Sequence, residues 1–246
     1  MIVDVHAHLG PWFFAMDVGA VGTNLSLMDK YGITVQIVSS TEAVVYDAPA
    51  GNRALATVLA GTPRLLGYVV VNPNHLAAAE RDLAEYLPTG RFVGVKIHTT
   101  YPGRPIASAA MRDALALVAQ AGVPALVHTW GDDVFALLDH LEAEPALRVV
   151  AGHMGGPAWR SGAEAAARCD RMYLEPCCSI TDAGKLRYAL DRVPVRQFLF
   201  GTDATLIDPA VSLGVVADAR LDPTEHEHLM WRNAVELFRL PGPDQP

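Results

Sequence analysis

The chain opens Ile2-Val3-Asp4-Val5-His6-Ala7-His8, a short apolar run that leads straight into two histidines two residues apart. Seven more short apolar runs follow it, at Ile33–Val38, Leu65–Val71, Phe92–Ile97, Pro124–Val127, Leu147–Ala151, Met172–Leu174 and Gln197–Phe200. Between them lie amphipathic stretches such as Ala77–Leu87, Ala107–Ala121, Asp132–Glu142 and Asp182–Asp191. In Met111–Ala121 the apolar residues Met111, Ala114, Leu115, Val118 and Ala119 recur at helical spacing. Strands that read as continuous apolar runs, alternating with helices, predict a parallel sheet covered on its outer face. Eight such units in 246 residues predict a single-domain α/β protein, a (β/α)8 TIM barrel over residues 1–240 with a loose tail at 241–246. An open doubly wound sheet is the alternative. No Gly-rich dinucleotide fingerprint follows the first run, which counts against it.

Composition narrows the class. Hydrophobic residues make up 51% and charged ones 19%, too apolar for a disordered chain and too charged for a membrane bundle. The formal net charge is −8 and no basic block occurs, which argues against nucleic acid and anionic membrane as partners. The cysteines Cys169, Cys177 and Cys178 form no disulfide framework, so a reducing cytoplasm is expected. The start lacks the pattern of a signal peptide, and no run of about 18 apolar residues predicts a membrane span.

Nine histidines are present, and five fall at or just past the C-terminal end of a predicted strand. These are His6 and His8 on the first, His98 on the fourth, His128 on the fifth and His153 on the sixth. In a barrel these ends converge on the face that carries active sites. Residues two apart on a strand point to the same side, so His6 and His8 can face one ion. Imidazole is the commonest metal ligand near neutral pH. His226 and His228 show the opposite case: Thr224–Arg239 reads as a helix, where positions two apart diverge, so both are expected on the solvated surface. His140, inside a helix, reads the same way, and His75 falls at a helix start.

The last strand ends Phe200-Gly201-Thr202-Asp203. A carboxylate there can join the histidines as a metal ligand and proton acceptor, or it can cap the next helix. Lys96 shares strand parity with His98 and needs a reason to lie inside a barrel. It can pair with an acid or a substrate carboxylate as the free amine, or bridge two metals after reaction with CO2.

This ordered set resembles the metal-dependent amidohydrolase superfamily. The stretches Gly94-Val95-Lys96-Ile97-His98, Val127-His128-Thr129, Gly152-His153-Met154-Gly155-Gly156 and Phe200-Gly201-Thr202-Asp203 are similar to its amidohydrolase-related branch, as is Asn233-Ala234-x-x-Leu237-Phe238. That branch contains small hydrolases and non-oxidative decarboxylases of the aminocarboxymuconate semialdehyde type. The resemblance implies a barrel with one or two divalent ions, zinc first among them, at the strand ends. It implies His6, His8, His128 and Asp203 as metal ligands. It implies His153 as ligand of a second ion or a substrate-polarising group, and Lys96 as the bridging position of binuclear members. His98 matches no shared ligand. Glu175 and Cys177-Cys178 depart from the branch's usual Asp and small residues.

The expected chemistry is hydrolysis of an amide, lactam, lactone or ester in a small molecule. The ion activates water, Asp203 serves as general base and acid, and His153 or Lys96 steadies the oxyanion. Two alternatives stand beside it: a decarboxylase in which Asp203 protonates the ring carbon as CO2 leaves, and an inactive barrel used as a binding protein. The loops after the strands are expected to shape the substrate pocket. Their candidates are Trp12 after the first strand, Tyr101 and Arg104 after the fourth, Trp130 after the fifth, and Trp159 and Arg160 after the sixth, with His98 beside them. The arginines can grip a carboxylate bidentately. The partners expected are a small-molecule substrate and neither nucleic acid nor membrane; a homo-oligomer is left open.

Overall fold

In the computed structural model, which describes residues 1–242, seven parallel strands form one sheet in sequence order. They are β1 (Val3–Leu9), β2 (Val35–Ser40), β3 (Leu65–Val70), β4 (Phe92–Ile97), β5 (Ala125–His128), β6 (Val149–Gly152) and β7 (Met172–Glu175). β1 contains His6 and His8 near its C-terminal end, as expected, and runs on to Leu9. The helix expected over Ala107–Ala121 spans Ala109–Ala121, where Ser108 caps the N-terminus and Gly122 ends it with φ 71°. Asp132–Glu142 divides into a 3₁₀ turn, Asp132–Phe135, and a helix, Ala136–Ala143. Asp182–Asp191 shortens to Lys185–Leu190. The expected tail at 241–246 lies mostly outside the described residues.

The eighth expected strand, Gln197–Phe200, is not regular strand: Gln197 ends a 3₁₀ turn, and the segment after it makes only isolated parallel bridges, Leu174 with Phe198 and Ala7 with Ala204. It still fills the gap between β7 and β1. Leu199 N donates to Leu174 O at 2.9 Å, and Val5 N donates to Phe200 O at 2.9 Å. Other backbone groups of the segment find partners in the C-terminal helix. Pro223–Phe238 is helical throughout, but His228–Arg232 is a π turn. Leu229 O accepts a bond from Phe200 N at 3.1 Å, and Asn233 Nδ2 donates to Val195 O and Phe198 O at 2.8 and 2.7 Å. The result is a TIM-barrel-like ring of seven strands closed by one irregular segment.

Apolar packing is split by the sheet. Val69, Val95, Ile97, Val127, Ala151, Leu174 and Phe200 pack outward with the covering helices. Val5, Ile37, Tyr68, Leu126, Val150 and Leu199 form a second cluster, joined by Ala234, Leu237 and Phe238 of the C-terminal helix. This second cluster is the floor of the barrel interior. In β1, Val3 and Val5 belong to the interior cluster while Ala7 and Leu9 belong to the outer one. The parity flips because β1 carries one extra residue between Asp4 and Ala7 relative to β2. That bulge turns His6 and His8 inward above an apolar floor, while Asp4, before it, faces outward between the inward Val3 and Val5.

Asp4 is fully buried on that outer side and accepts four bonds. They come from His6 N (3.1 Å), Gln36 Nε2 (2.9 Å), Thr202 N (3.1 Å) and Thr202 Oγ1 (2.6 Å). Burial raises its pKa to about 7 against those bonds. Thr202→Val keeps the shape and removes the strongest of the four. It should lower unfolding stability by about 1–3 kcal/mol, read as a lower denaturant midpoint at unchanged slope. An unchanged midpoint would show that the seam does not depend on this contact.

Candidate active site

At the C-terminal ends of the strands the interior becomes polar. His6 lies at the centre, with no exposed surface. Its Nδ1 is 2.7 Å from Glu175 Oε2 and its Nε2 is 2.7 Å from Lys96 Nζ. Gly152 lets the His6 ring lie against β6, since a Cβ there would be 3.2 Å from His6 Cε1. Gly201 makes room for Glu175, whose Oε1 would be 2.5 Å from an added Cβ. His8 bonds Ser39 Oγ through Nδ1 at 2.9 Å and faces Asp203 Oδ1 through Nε2 at 3.0 Å. Asp203 Oδ1 is also 3.7 Å from His6 Nε2. His153 bonds Cys177 O through Nδ1 at 2.8 Å.

Asp203 and His153 sit on unusual backbone, with φ 57° and 68°. Non-glycine residues pay to hold such angles, and tight surroundings must enforce them. For Asp203 the surroundings are β1: its N–H donates to His6 O at 2.7 Å, and His8 N–H donates to Ala204 O. Asp203 makes no side-chain cap, so the helix-cap role is not the one it plays here. Ser40, Asp47, Ser108, Asp208 and Asp222 do that work at other helices.

Burial dominates the protonation of the cluster. It lowers His6, His8 and His98, takes His128 down to about 2 and His153 down to about 4, so all five imidazoles are neutral. Lys96 falls to about 8 by the same cause, held up by Asp203, Cys177 and Glu175. Burial pushes Asp203 upward, but the hydrogen bond to His8 and the neighbouring histidines outweigh it and hold the carboxyl below its usual range. Glu175 is raised by burial, yet both of its oxygens only accept: Cys177 N at 2.6 Å and Cys177 Sγ at 2.9 Å join the bond to His6.

The donor set suits a divalent ion. Ligand atoms of His6, His8 and Asp203 lie within 4.8 Å of one another and all three residues are buried. His6, His8 and His153 each have Nδ1 engaged, by Glu175, Ser39 and Cys177 O, which aims Nε2 at the centre, where that of His6 meets Lys96 Nζ and that of His8 meets Asp203. Fixing one ring nitrogen so that the other can ligate is how proteins orient metal-binding histidines. Neutral imidazoles with a carboxylate match zinc and manganese alike.

A cavity of about 410 Å³ opens above this cluster. Of the residues expected at the site, it brings together His6, His8, Lys96, His98, His128, His153 and Asp203, with Trp12, Tyr101 and Trp130 in the walls. His98 and His128 stack with centroids 4.0 Å apart, and Trp130 lies nearly parallel to His128 at 6.1 Å. A second lobe of about 380 Å³ shares His128, Trp130, His153 and Asp203 and adds Cys178, Ser179 and Ile207.

Three expected substrate contacts are not there. Arg104 is exposed, and its Nε donates to Asn74. Trp159 is buried with its Nε1 on Asp182 Oδ2 at 2.9 Å, and Arg160 stacks on its ring at 4.0 Å. The loop after β6 coils through Met154, Gly155 and Gly156, all at positive φ, before its helix starts, so the chain has turned away by Trp159. His140 is not a surface residue: it is buried, and its Nε2 bonds Ile106 O at 2.7 Å. His228 is half-buried and bonds Asn233, whereas His226 is exposed as expected. Sequence reasoning missed Ser39 and the support of Glu175 for His6. Ser39 gives no signal, but Glu175 ends a strand opposite Gly201, which is one.

Known proteins share the family and the fold. The amidohydrolase family matches residues 3–240. No curated protein sequence matches the chain. Among solved structures, 2,6-dihydroxybenzoate decarboxylase from Rhizobium superposes with TM-score 0.79 at 17% identity, over 98% of this chain and 99% of that one. A dihydroxybenzoic acid decarboxylase from a Polaromonas species, with bound manganese and the inhibitor 2-nitroresorcinol, gives 0.77 at 17% identity over 97% of both chains. A probable 2-pyrone-4,6-dicarboxylic acid hydrolase from Acinetobacter baumannii with citric acid bound gives 0.71 at 16%, over 97% of this chain and 99% of that one. With its ordered strand-end motifs and a match along almost its whole length, the chain belongs to the amidohydrolase family.

Proposed function

We propose that the chain is a divalent-metal-dependent, non-oxidative decarboxylase of a small hydroxylated aromatic acid. The observation that carries this reading is the cavity, in which a buried set of metal-ligating groups stands beneath walls of Trp12, Tyr101 and Trp130. Flat aromatic walls suit a flat ring. The two decarboxylases named above act on dihydroxybenzoates, which tilts the choice away from the hydrolysis expected from sequence. Hydrolysis of a lactone or related bond is the second reading, favoured by the pyrone-dicarboxylic acid hydrolase among the similar folds.

In this reading His6, His8 and Asp203 would hold the ion, with His128 and His153 beside it. The ion, when bound, supplies a Lewis acid that draws the substrate's oxygens into place. Lys96, taken as the free amine, pairs with the substrate carboxylate. His153, braced by Cys177 O, presents Nε2 to a substrate oxygen. Asp203 carries the proton. It takes one up from solvent before the acid fills the cavity and delivers it to the ring carbon that bears the carboxylate, so a C–H bond forms as the C–C bond breaks and CO2 leaves. The rings around the cavity exclude water and keep the acceptor carbon facing Asp203.

Incubation with 2,6-dihydroxybenzoate should release CO2 and resorcinol. Chelation should abolish this, and manganese or zinc should restore it. Cleavage of an aromatic lactone without any CO2 from hydroxybenzoates would move the assignment to the second reading. Asp203→Asn, reconstituted with excess metal, should retain an ion yet turn over at least about a hundredfold slower, within the usual range for a lost proton carrier. Near-normal turnover would leave Asp203 as a ligand only.

Metal content tests the placement of the ion. His6→Ala and His8→Ala should lose both metal and activity, while His226→Ala, at an exposed position of the C-terminal helix, should lose neither. Glu175→Gln should weaken metal affinity by about 10–100-fold, because it loosens the grip on His6 Nδ1. Unchanged affinity in Glu175→Gln would mean that His6 is not held for metal binding.

A further inference from the structure

We infer that the pocket is built for an acid with a single carboxylate and uncharged ring substituents, and that it rejects dicarboxylic acids. The inference deepens the decarboxylase reading and rests on it for the ring that bears the carboxylate. The cations near the site carry it. The chain has three lysines. Lys96 lines the cavity. Lys185 is buried, but its Nζ is spent on Pro176 O and Ile180 O at 3.1 and 3.3 Å. Lys30 is exposed beside Asp208. Among the described residues no arginine lines either lobe. Arg104 and Arg160, the two nearest in sequence to the pocket loops, are engaged with Asn74 and the Trp159 ring.

The charge count inside the barrel points the same way. Glu175 and Asp203 are the buried acids whose side chains meet those of the histidines, and both act as acceptors there, while Asp4 meets the His6 backbone from the outer side of the sheet. The histidines that line the cavity must be neutral to bind metal. Lys96 and a divalent ion therefore exceed the two carboxylates by one positive charge. One substrate carboxylate brings the site to neutrality. A second would leave net negative charge against Leu206, Ile207 and the face of Trp130, with no donor cation and with Asp203 repelling it. Burying an unpaired carboxylate in such surroundings is costly. A neutral oxygen has a better prospect. Trp12 is buried in the cavity wall beside His8, and its Nε1–H has no partner. A phenolic hydroxyl would satisfy that donor.

The test titrates the metal-supplemented protein by calorimetry with 2,6-dihydroxybenzoate and with the same ring carrying a second carboxylate, while CO2 release is followed separately. The monocarboxylate should bind at least about tenfold tighter. Leu206→Arg, which places a guanidinium in the wall shared by both lobes, should shrink or reverse that ratio. Arg104→Ala should leave it unchanged. Equal affinities in the unaltered protein, no binding of the monocarboxylate, or a loss of dicarboxylate binding in Arg104→Ala would each overturn the inference. Selective binding without CO2 release would uphold it while sinking the decarboxylase reading. Equal CO2 release from both acids would do the reverse.

Discussion

The structure depends on one seam, where the irregular segment after Gln197 is fastened to β1. A regular eighth strand would close the ring through two full ladders. Here the ladders reduce to single bridges, and the bonds are distributed among three partners. β7 takes Leu199, the C-terminal helix takes Phe198 and Phe200, and β1 takes Thr202, Asp203 and Ala204. The π turn at His228–Arg232 belongs to this arrangement, since it is Leu229 O that receives Phe200 N. Asp4 then locks the register by bonding both β1 and Thr202. Asp203 reaches His6 and His8 only because this seam holds, so the catalytic geometry and the closure of the fold are one constraint.

Once closed, the ring creates the electrostatic conditions of the site. Its floor is apolar, through Val5, Tyr68, Leu126 and Val150, and the histidines stand directly above it. Burial there removes the solvation that an imidazolium would need, which favours neutral histidines even with Asp203 beside them. Neutral rings would still be free to rotate. Glu175, Ser39 and Cys177 O prevent that by engaging the outer nitrogen of His6, His8 and His153. The site thus has two layers with separate tasks: the floor sets charge state and the braces set direction.

Much of this was legible in the sequence. The alternation of apolar runs and helical patterns gave the barrel, and the strand-end positions of His6, His8, His98, His128 and His153 gave one common cavity. The rest escaped for identifiable reasons. The inward turn of His6 after an inward Val5 requires a bulge, and an extra residue in one strand leaves no mark on local alternation. Arg104 and Arg160 read as pocket residues because closeness along a loop does not show direction in space: Arg104, after β4, turns to Asn74, and the glycine coil after β6 carries the chain away before Arg160. His140 read as surface because periodicity shows which face of a helix is apolar but not that a carbonyl such as Ile106 O waits there. The Asn233-Ala234-x-x-Leu237-Phe238 stretch was only a resemblance in the sequence. In the fold it is Asn233 on the backbone of the closing segment, with Ala234, Leu237 and Phe238 completing the interior floor.

The two sides of His6 give the last step. Its Nε2 offers a single lone pair in the plane of the ring. Lys96 Nζ lies 2.7 Å from that nitrogen, so the ammonium and a metal ion would claim the same electrons. The two claims exclude each other, and Lys96 must yield Nε2 when an ion is bound. It is fully buried, with Asp203 and Glu175 as its nearby acids, and the cavity is the one place it lines that can admit a new anion. In the proposed function, displacement of the ammonium from His6 and capture of a substrate carboxylate would be consecutive uses of one charge. A single lysine would then serve as the placeholder for the ion and as the partner of the acid.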